Sequence, residues 1–342
     1  MVDPVQRLEQ TELPPEIARA LRETFGDAPI ERMALLKGGR SGAMILSLTV
    51  AGKGYVVRRG DPTRTAHSPH VAREIACLRI ASARGVAPPL HHADADTGVV
   101  IMDWIDVAPF WSSPSRGPER IARVASTLRR LHDGPAFPPG PGALPLVRHT
   151  DDFLRERGGD GLPPGLRSTL EAVSALTRRF AGDAPCHNDL NPGNLLEAPE
   201  ALYFVDWDTA AQGDPFVDLG QLGVFTFPMA SQRDALLEAY LGHPPTELER
   251  ARATVARVRA LGVYATAFLH VAALEGAPPG ETPTPASIPE MLAMLGARRE
   301  RAPAAAVAAS LLAEMQRELA TQAFEAATRL LECPPALHPG GT

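Results

Sequence analysis

The apolar pattern of the chain changes once along its length, and that change restricts the folds open to it. In the first third, MALLKGGRSGAMILSLTV (33–50) is two apolar strips around a Gly-rich turn, followed by the turn AGKG and a further β-rich run, YVVRR (55–59). Small, turn-forming residues between such runs mark consecutive strands. Strands joined this tightly pair antiparallel, because a parallel pair needs a long crossover. From Glu119 the period becomes helical: in ERIARVASTLRRLHD, Ile121, Val124, Leu128 and Leu131 share one face. Further helical patterns cover 151–180, 231–242 and 246–275. Strands collected before helices predict an α+β fold with a small antiparallel sheet lobe and a larger, mainly helical lobe.

The remaining segments fit that division. Pro14 and Pro15 precede IARALRETFG, where Ile17, Ala20, Leu21 and Phe25 have helical spacing and Gly26 is a stop. SPHVAREIACLRIASARG reads as a helix ending at Gly85, and GVVIMDWIDV as a strand running into acidic and aromatic residues. The expected organisation is a leading helix at 1–29, a first lobe at 30–106 and a second lobe at 107–275. Residues 276–342 are a Pro-rich linker and an Ala-rich C-terminal helix. GPAFPPGPGALPL (134–146) is expected to be irregular. A length of 342 residues suits two closely packed lobes, since a single core stops growing at roughly 250–300 residues.

Charge and cysteine usage narrow the function. A net charge of −6 with dispersed arginines gives no attraction to phosphate backbones or anionic lipid, which argues against nucleic acid as a partner. Cys77, Cys186 and Cys333 lie far apart and form no CxxC pair, so a reducing cytoplasm is expected. The sequence starts without an apolar segment behind a basic stretch and shows no run of about 18 apolar residues, so no membrane partner is expected.

The chemistry is concentrated in CHNDLNPGNLL (186–196). Asp189 and Asn194, five positions apart on a loop tightened by Pro192 and Gly193, place a carboxylate and a carboxamide in one small volume. Both bind hard cations or orient hydroxyls. The same residue types also make ordinary turns. After the apolar run ALYFV, however, Asp206 and Asp208 follow in VDWDTA, with alternation aiming both to one side. Base, metal-binding Asn, then metal-binding Asp is the order used in kinase-type phosphoryl transfer.

HNDLNPGN, FVDWDTA and GDPFVDLG together resemble the motifs of the aminoglycoside phosphotransferase and choline kinase superfamily, whose members have a protein-kinase-like fold; the resemblance covers roughly residues 30–275. It implies ATP and Mg²⁺ as cofactors and a small-molecule hydroxyl as acceptor. By the same resemblance Asp189 is the catalytic base, Asn194 and Asp206 hold Mg²⁺, His187 braces the loop and Asp218 supports it. In the first lobe, Ser41 in the Gly-rich turn KGGRSGA is implied near the phosphates. The chain has only two lysines, Lys37 and Lys53, and neither lies on the strand expected to carry the phosphate-binding cation; Arg58 does, with Arg59 as the competing choice. Glu74 is its implied partner on the next helix. Backbone groups of Asp103 and Ile105 are implied as the adenine contacts.

The acceptor is less constrained. A choline-type cation calls for aromatic faces, available from Trp207, Phe225, Phe227, Tyr240, Tyr264 and Phe268. An aminoglycoside calls for clustered carboxylates, of which DDFLRE (151–156) is the compact candidate. The CHND form of the loop resembles choline and ethanolamine kinases somewhat more. Two alternatives stay open: a non-catalytic binder of the same fold, and a protein kinase, against which stands the absence of DFG and of an APE-like segment after Asp206.

Overall fold

The computed structural model describes residues 6–7, 13–36, 43–60, 68–107, 110, 117–180, 184–278, 283–297 and 303–333. The strands of the first lobe are β1 (Gln6–Arg7), β2 (Ile30–Leu35), β3 (Met44–Val50), β4 (Lys53–Arg59), β5 (Leu90–Asp94) and β6 (Val99–Asp103). They form one antiparallel sheet in the order β1-β2-β3-β4-β6-β5. Val50 pairs with Lys53, so β3 and β4 are joined by Ala51 and Gly52 alone, both with positive φ (49° and 75°). That geometry matches the strand twist across a two-residue hairpin. Leu46, Leu48, Val57, Val99 and Ile101 are buried on one face, where helix α1 (Pro15–Phe25) lays down Ile17, Ala20 and Leu21. The edge strand β5, LHHAD, has no apolar alternation to announce it, and its pairing with β6 is interrupted between Leu90 and His92.

Helix α2 (Pro69–Ala83) ends before Gly85, whose φ is +66°. The sequence places it with the sheet, but its buried residues Ile75, Cys77, Leu78 and Ala81 share a core with Leu128, Phe204 and Trp207 of the second lobe. Arg73 also donates to the Asp208 carbonyl (2.8 Å), and the Phe204 N–H donates to the Val86 carbonyl (2.7 Å). The helix therefore carries Glu74 on a support shared by both lobes.

The second lobe contains α3 (Pro118–His132), α4 (Leu144–Glu156) and α5 (Leu166–Thr177), then the short strands β7 (Ala184–Cys186), β8 (Leu195–Glu197), β9 (Leu202–Phe204) and β10 (Ala211–Gly213). Helices α6 (Pro215–Phe225), α7 (Ala230–Leu241) and α8 (Glu247–Leu274) follow. Helix α4 begins inside the stretch expected to be irregular, because Pro145 occupies the first turn, where a missing N–H is harmless. Helix α8 is long and apolar enough to cross a membrane by length and composition, and 61% of its most apolar window is buried inside the protein. Val255, Val258, Leu261 and Ala265 on it form a core with Leu166, Leu170 and Val173 of α5. Helix α6 lies so close to α8 that a Cβ on Gly220 would meet the Ala256 backbone at 2.6 Å.

Beyond α8 the described residues form three helices where one was expected: α9 (Ile288–Ala297), α10 (Ala304–Leu319) and α11 (Gln322–Glu332). The Ala-rich run divides because the Thr321 hydroxyl accepts the Phe324 N–H (3.1 Å) and starts a new helix. All three contribute to the core around α8, and buried Arg257 on α8 pairs with Glu314 (2.7 Å) and with Glu318.

Candidate active site

The loop after β7 is built by backbone capture. Asp218, in the first turn of α6, is completely buried and accepts the N–H groups of His187 and Asn188, both at 2.8 Å. His132 on α3 donates to the same carboxylate through Nε2 (3.1 Å), while its Nδ1 accepts from the Tyr240 hydroxyl (2.8 Å). One helical turn later, Gln221 accepts the Leu190 N–H (3.1 Å) and donates to the Asn188 carbonyl. Asn188 has φ +65°, a conformation that Asn tolerates better than most residues. His187 is also fully buried, and its tautomer follows from its partners. The Asp189 N–H points at Nδ1 (3.3 Å), so Nε2 carries the hydrogen and donates to the Val205 carbonyl (3.0 Å). His187 thus braces the loop and is not free to exchange protons with a ligand.

On this platform Asp189 is held from the loop side. Asn191 reaches both of its carboxylate oxygens (3.2 and 3.1 Å), and Asn194 donates to its carbonyl (2.8 Å) and to Oδ2 (3.1 Å). Asn191 also caps the short 3-10 turn Pro192–Asn194 by accepting the Gly193 N–H (2.8 Å). The Val205 N–H donates to the Asn194 carbonyl (3.0 Å), tying this turn to the segment that carries Asp206. Asp206 has φ +67°, an uncommon backbone conformation at a non-glycine residue of the kind found at functional sites.

The charges around this loop are unbalanced. Burial above all raises the Asp189 carboxyl, Asp206 adds to the rise, and the Asn191 amide and His187 oppose it. Burial, followed by the neighbouring carboxylates Asp206, Glu74 and Asp189, pushes Asp208 up to about 7. Glu74 is likewise raised by burial, against the pull of Arg58. Four carboxylates thus share one neighbourhood with the Arg58 guanidinium. A set like this fits a hard cation: Asp206 and Asp208 offer oxygens, and Asn194, its Nδ2 engaged by Asp189, has Oδ1 left to offer. With Mg²⁺ bound, the residues implied as its ligands, Asn194 and Asp206, would hold an ion that neutralises phosphate charge.

The two arginines of β4 separate. Arg58 pairs with Glu74 on α2, whereas Arg59 pairs with Glu16 on α1, on the far side of the sheet from the carboxylates. At the end of β6, the Asp103 side chain pairs with Lys53 (2.7 Å) and His91 (2.7 Å), and its N–H donates to the Pro89 carbonyl (2.9 Å). The Trp104 N–H is engaged by Gly54 (3.0 Å). The Asp103 carbonyl and the Ile105 N–H are the groups the resemblance implies as adenine contacts at this edge. Ser41 and the surrounding Gly-rich turn lie outside the described residues.

The aromatic residues divide as well. Trp207 and Phe227 are core, and Tyr240 serves His132. Phe225, Tyr264 and Phe268 form a group, with ring centroids 5.1 Å apart for Phe225–Tyr264 and 6.5 Å for Phe225–Phe268, and Tyr264 borders Asp189. In DDFLRE, Asp151 is committed to structure: it accepts the Leu162 N–H (2.8 Å) and contacts Arg155 (3.4 Å) and Arg167 (3.7 Å). Sequence reasoning did not single out His132, Asn191 or Gln221. For Gln221 a cue existed, since it follows Asp218 by three residues on one helix face.

A small antiparallel sheet set on a helical body, with a carboxylate-rich loop at their junction, defines the protein-kinase-like class of phosphoryl-transfer fold. The chain belongs to the phosphotransferase enzyme family, whose model matches residues 32–254. Among curated proteins it is similar to Protein LicA of Haemophilus influenzae (strain ATCC 51907 / DSM 11121 / KW20 / Rd), at 38% identity over 56 residues. That match spans 16% of this chain and about a fifth (21%) of the relative. Among solved structures, a choline/ethanolamine kinase family protein from Mesorhizobium loti superposes with a TM-score of 0.63 at 22% identity, covering 94% of this chain and 99% of that one. Choline kinase LicA from Streptococcus pneumoniae gives a TM-score of 0.56 at 16% identity, covering 78% and 92%. At these identities the structural likenesses establish the fold.

Proposed function

We propose that this protein transfers the γ-phosphoryl group of ATP, with Mg²⁺, to the hydroxyl of a small amino alcohol of the choline or ethanolamine kind. The observation that carries this reading is the Asp189 carboxylate, fixed by two amides on a loop anchored to α6 and faced by Asp206, Asp208 and the Arg58–Glu74 pair. In this reading Asp189 accepts the proton of the acceptor hydroxyl. The amides of Asn191 and Asn194 orient its oxygens for that contact. Arg58, held by Glu74, binds phosphate oxygens, a task for which a guanidinium fork is suited. The nucleotide base sits against the Asp103 carbonyl and the Ile105 N–H, and Ser41 lies near the phosphates.

Two features support an ammonium-bearing acceptor over a polyamine drug. Tyr264 borders Asp189 and its ring continues into those of Phe225 and Phe268, and aromatic faces attract a compact cation. The acidic segment that would suit an aminoglycoside is committed through Asp151 to the turn at Leu162. Free Cys77, Cys186 and Cys333 support a cytoplasmic setting, where ATP is present. The test is a transfer assay with γ-labelled ATP against choline, ethanolamine, thiamine and aminoglycosides, with Asp189→Ala in parallel. Labelled product from an amino alcohol, lost in Asp189→Ala while that variant stays folded, is expected. Turnover retained in Asp189→Ala would sink the assignment of the base, and label on aminoglycosides alone would sink the acceptor class.

A further inference from the structure

The Tyr264 hydroxyl is buried and, although it lies within reach of the Asp189 carboxylate, makes no hydrogen bond of ordinary length and angle among the described residues. An unpaired buried hydroxyl costs about 1–3 kcal/mol, so a phenylalanine would be the more stable choice in a ring-packing role alone. Tyr264 is 7% exposed, midway along α8, with its ring packed against Phe225. Its hydroxyl is directed at the Asp189 carboxylate, and that interaction favours the charged form of Asp189. Thr226, the neighbour of Phe225, carries a second buried hydroxyl lacking a partner among the described residues. A buried hydroxyl beside a carboxylate and an aromatic wall is what a site looks like when the ligand supplies the missing partner.

We infer that Tyr264 contacts the acceptor directly, donating its O–H to the oxygen of the hydroxyl that is phosphorylated. This rests on the proposed function. The loop amides approach Asp189 from Asn191 and Asn194, and Tyr264 approaches it from α8, so an alcohol lodged beside Asp189 meets both. The alcohol oxygen gives its proton to Asp189, and one lone pair accepts from Tyr264. The other lone pair forms the bond to the γ-phosphorus as the bond from that phosphorus to the β-bridging oxygen breaks and ADP leaves. Tyr264 keeps its proton throughout. Burial raises the Tyr264 hydroxyl well above the ordinary phenol range, as suits a donor that does not ionise.

The test is Tyr264→Phe, which removes one oxygen and keeps the ring. Steady-state transfer from γ-labelled ATP to choline and to ethanolamine is measured together with thermal unfolding. The expected result is a fall in kcat/KM for the acceptor of roughly 10- to 100-fold, an ATP KM within twofold of wild type, and a Tm equal to or above wild type. Wild-type kcat/KM in the variant overturns the inference and leaves the proposed function standing. A loss of activity accompanied by a lower Tm and a raised ATP KM also overturns it, because that pattern marks a structural role. A wild-type protein that transfers to neither alcohol overturns the proposed function and this inference with it.

Discussion

Asp218→Asn keeps the shape of the side chain that organises the catalytic loop and changes only its hydrogen-bonding character. The carboxylate accepts two backbone N–H groups at 2.8 Å and the His132 Nε2–H at 3.1 Å, with no exposure to water. An asparagine can present one oxygen to one of the two N–H groups, and its NH₂ then faces the other donor. The loss is one charge-assisted bond, about 1.5–3 kcal/mol, with a buried N–H left unpaired beside it, so a cost near 3 kcal/mol is expected. At about 2.1 cal/mol/K per residue, 342 residues convert that to a fall in Tm of about 4 °C. Because the two captured amides belong to His187 and Asn188, immediately before Asp189, displacement of the base should lower kcat by about 100-fold or more. Calorimetry and a γ-phosphate transfer assay read the two effects separately. A variant with wild-type Tm and wild-type kcat would refute the reasoning that α6 holds the loop through this carboxylate.

Other substitutions probe the remaining contacts. Arg58→Ala should raise the ATP KM more than tenfold and Arg59→Ala less than threefold, since Arg58 faces Glu74 and Arg59 faces Glu16; the reverse order would move the phosphate contact to Arg59. The Leu162 N–H, then Arg155 and Arg167, hold the Asp151 carboxyl below the usual carboxylate range. Its stabilising share is therefore complete above the ordinary pKa of about 3.9 and disappears as pH falls through the lower folded-state value. Urea unfolding of wild type and Asp151→Asn should show a stability gap at pH 7 that narrows below about pH 4, and a gap independent of pH would contradict this.

The parts of the site that were legible in the sequence are those whose contacts are local. Asn191 and Asn194 reach Asp189 over two and five residues, and Asn191 caps the turn that Pro192 opens. Such bonds form wherever this string of residues forms its turn, so HNDLNPGN carries its geometry with it. The hairpin between β3 and β4 is legible for the same reason, as is the helical face of α3. β5 escaped notice because an edge strand can be polar, and the division of the Ala-rich C-terminal run turned on one capping threonine.

By itself, then, the sequence determined the order of the elements, the α+β architecture and the catalytic loop with its implied family. Only the tertiary structure decided which neighbour each long-range side chain would meet. Strand alternation puts Arg58 and Arg59 on opposite faces, but which face looks toward α2 and which toward α1 depends on how the helices pack on the sheet. Tyr264 lies far from Asp189 in the chain, and the two meet because α8 packs against α6, which captures the loop. Asp151 could serve a ligand by its sequence, but in the fold it accepts the Leu162 N–H. Turn chemistry acts over a few residues and is written locally, whereas the partner of a side chain across a packed interface is set by the whole fold.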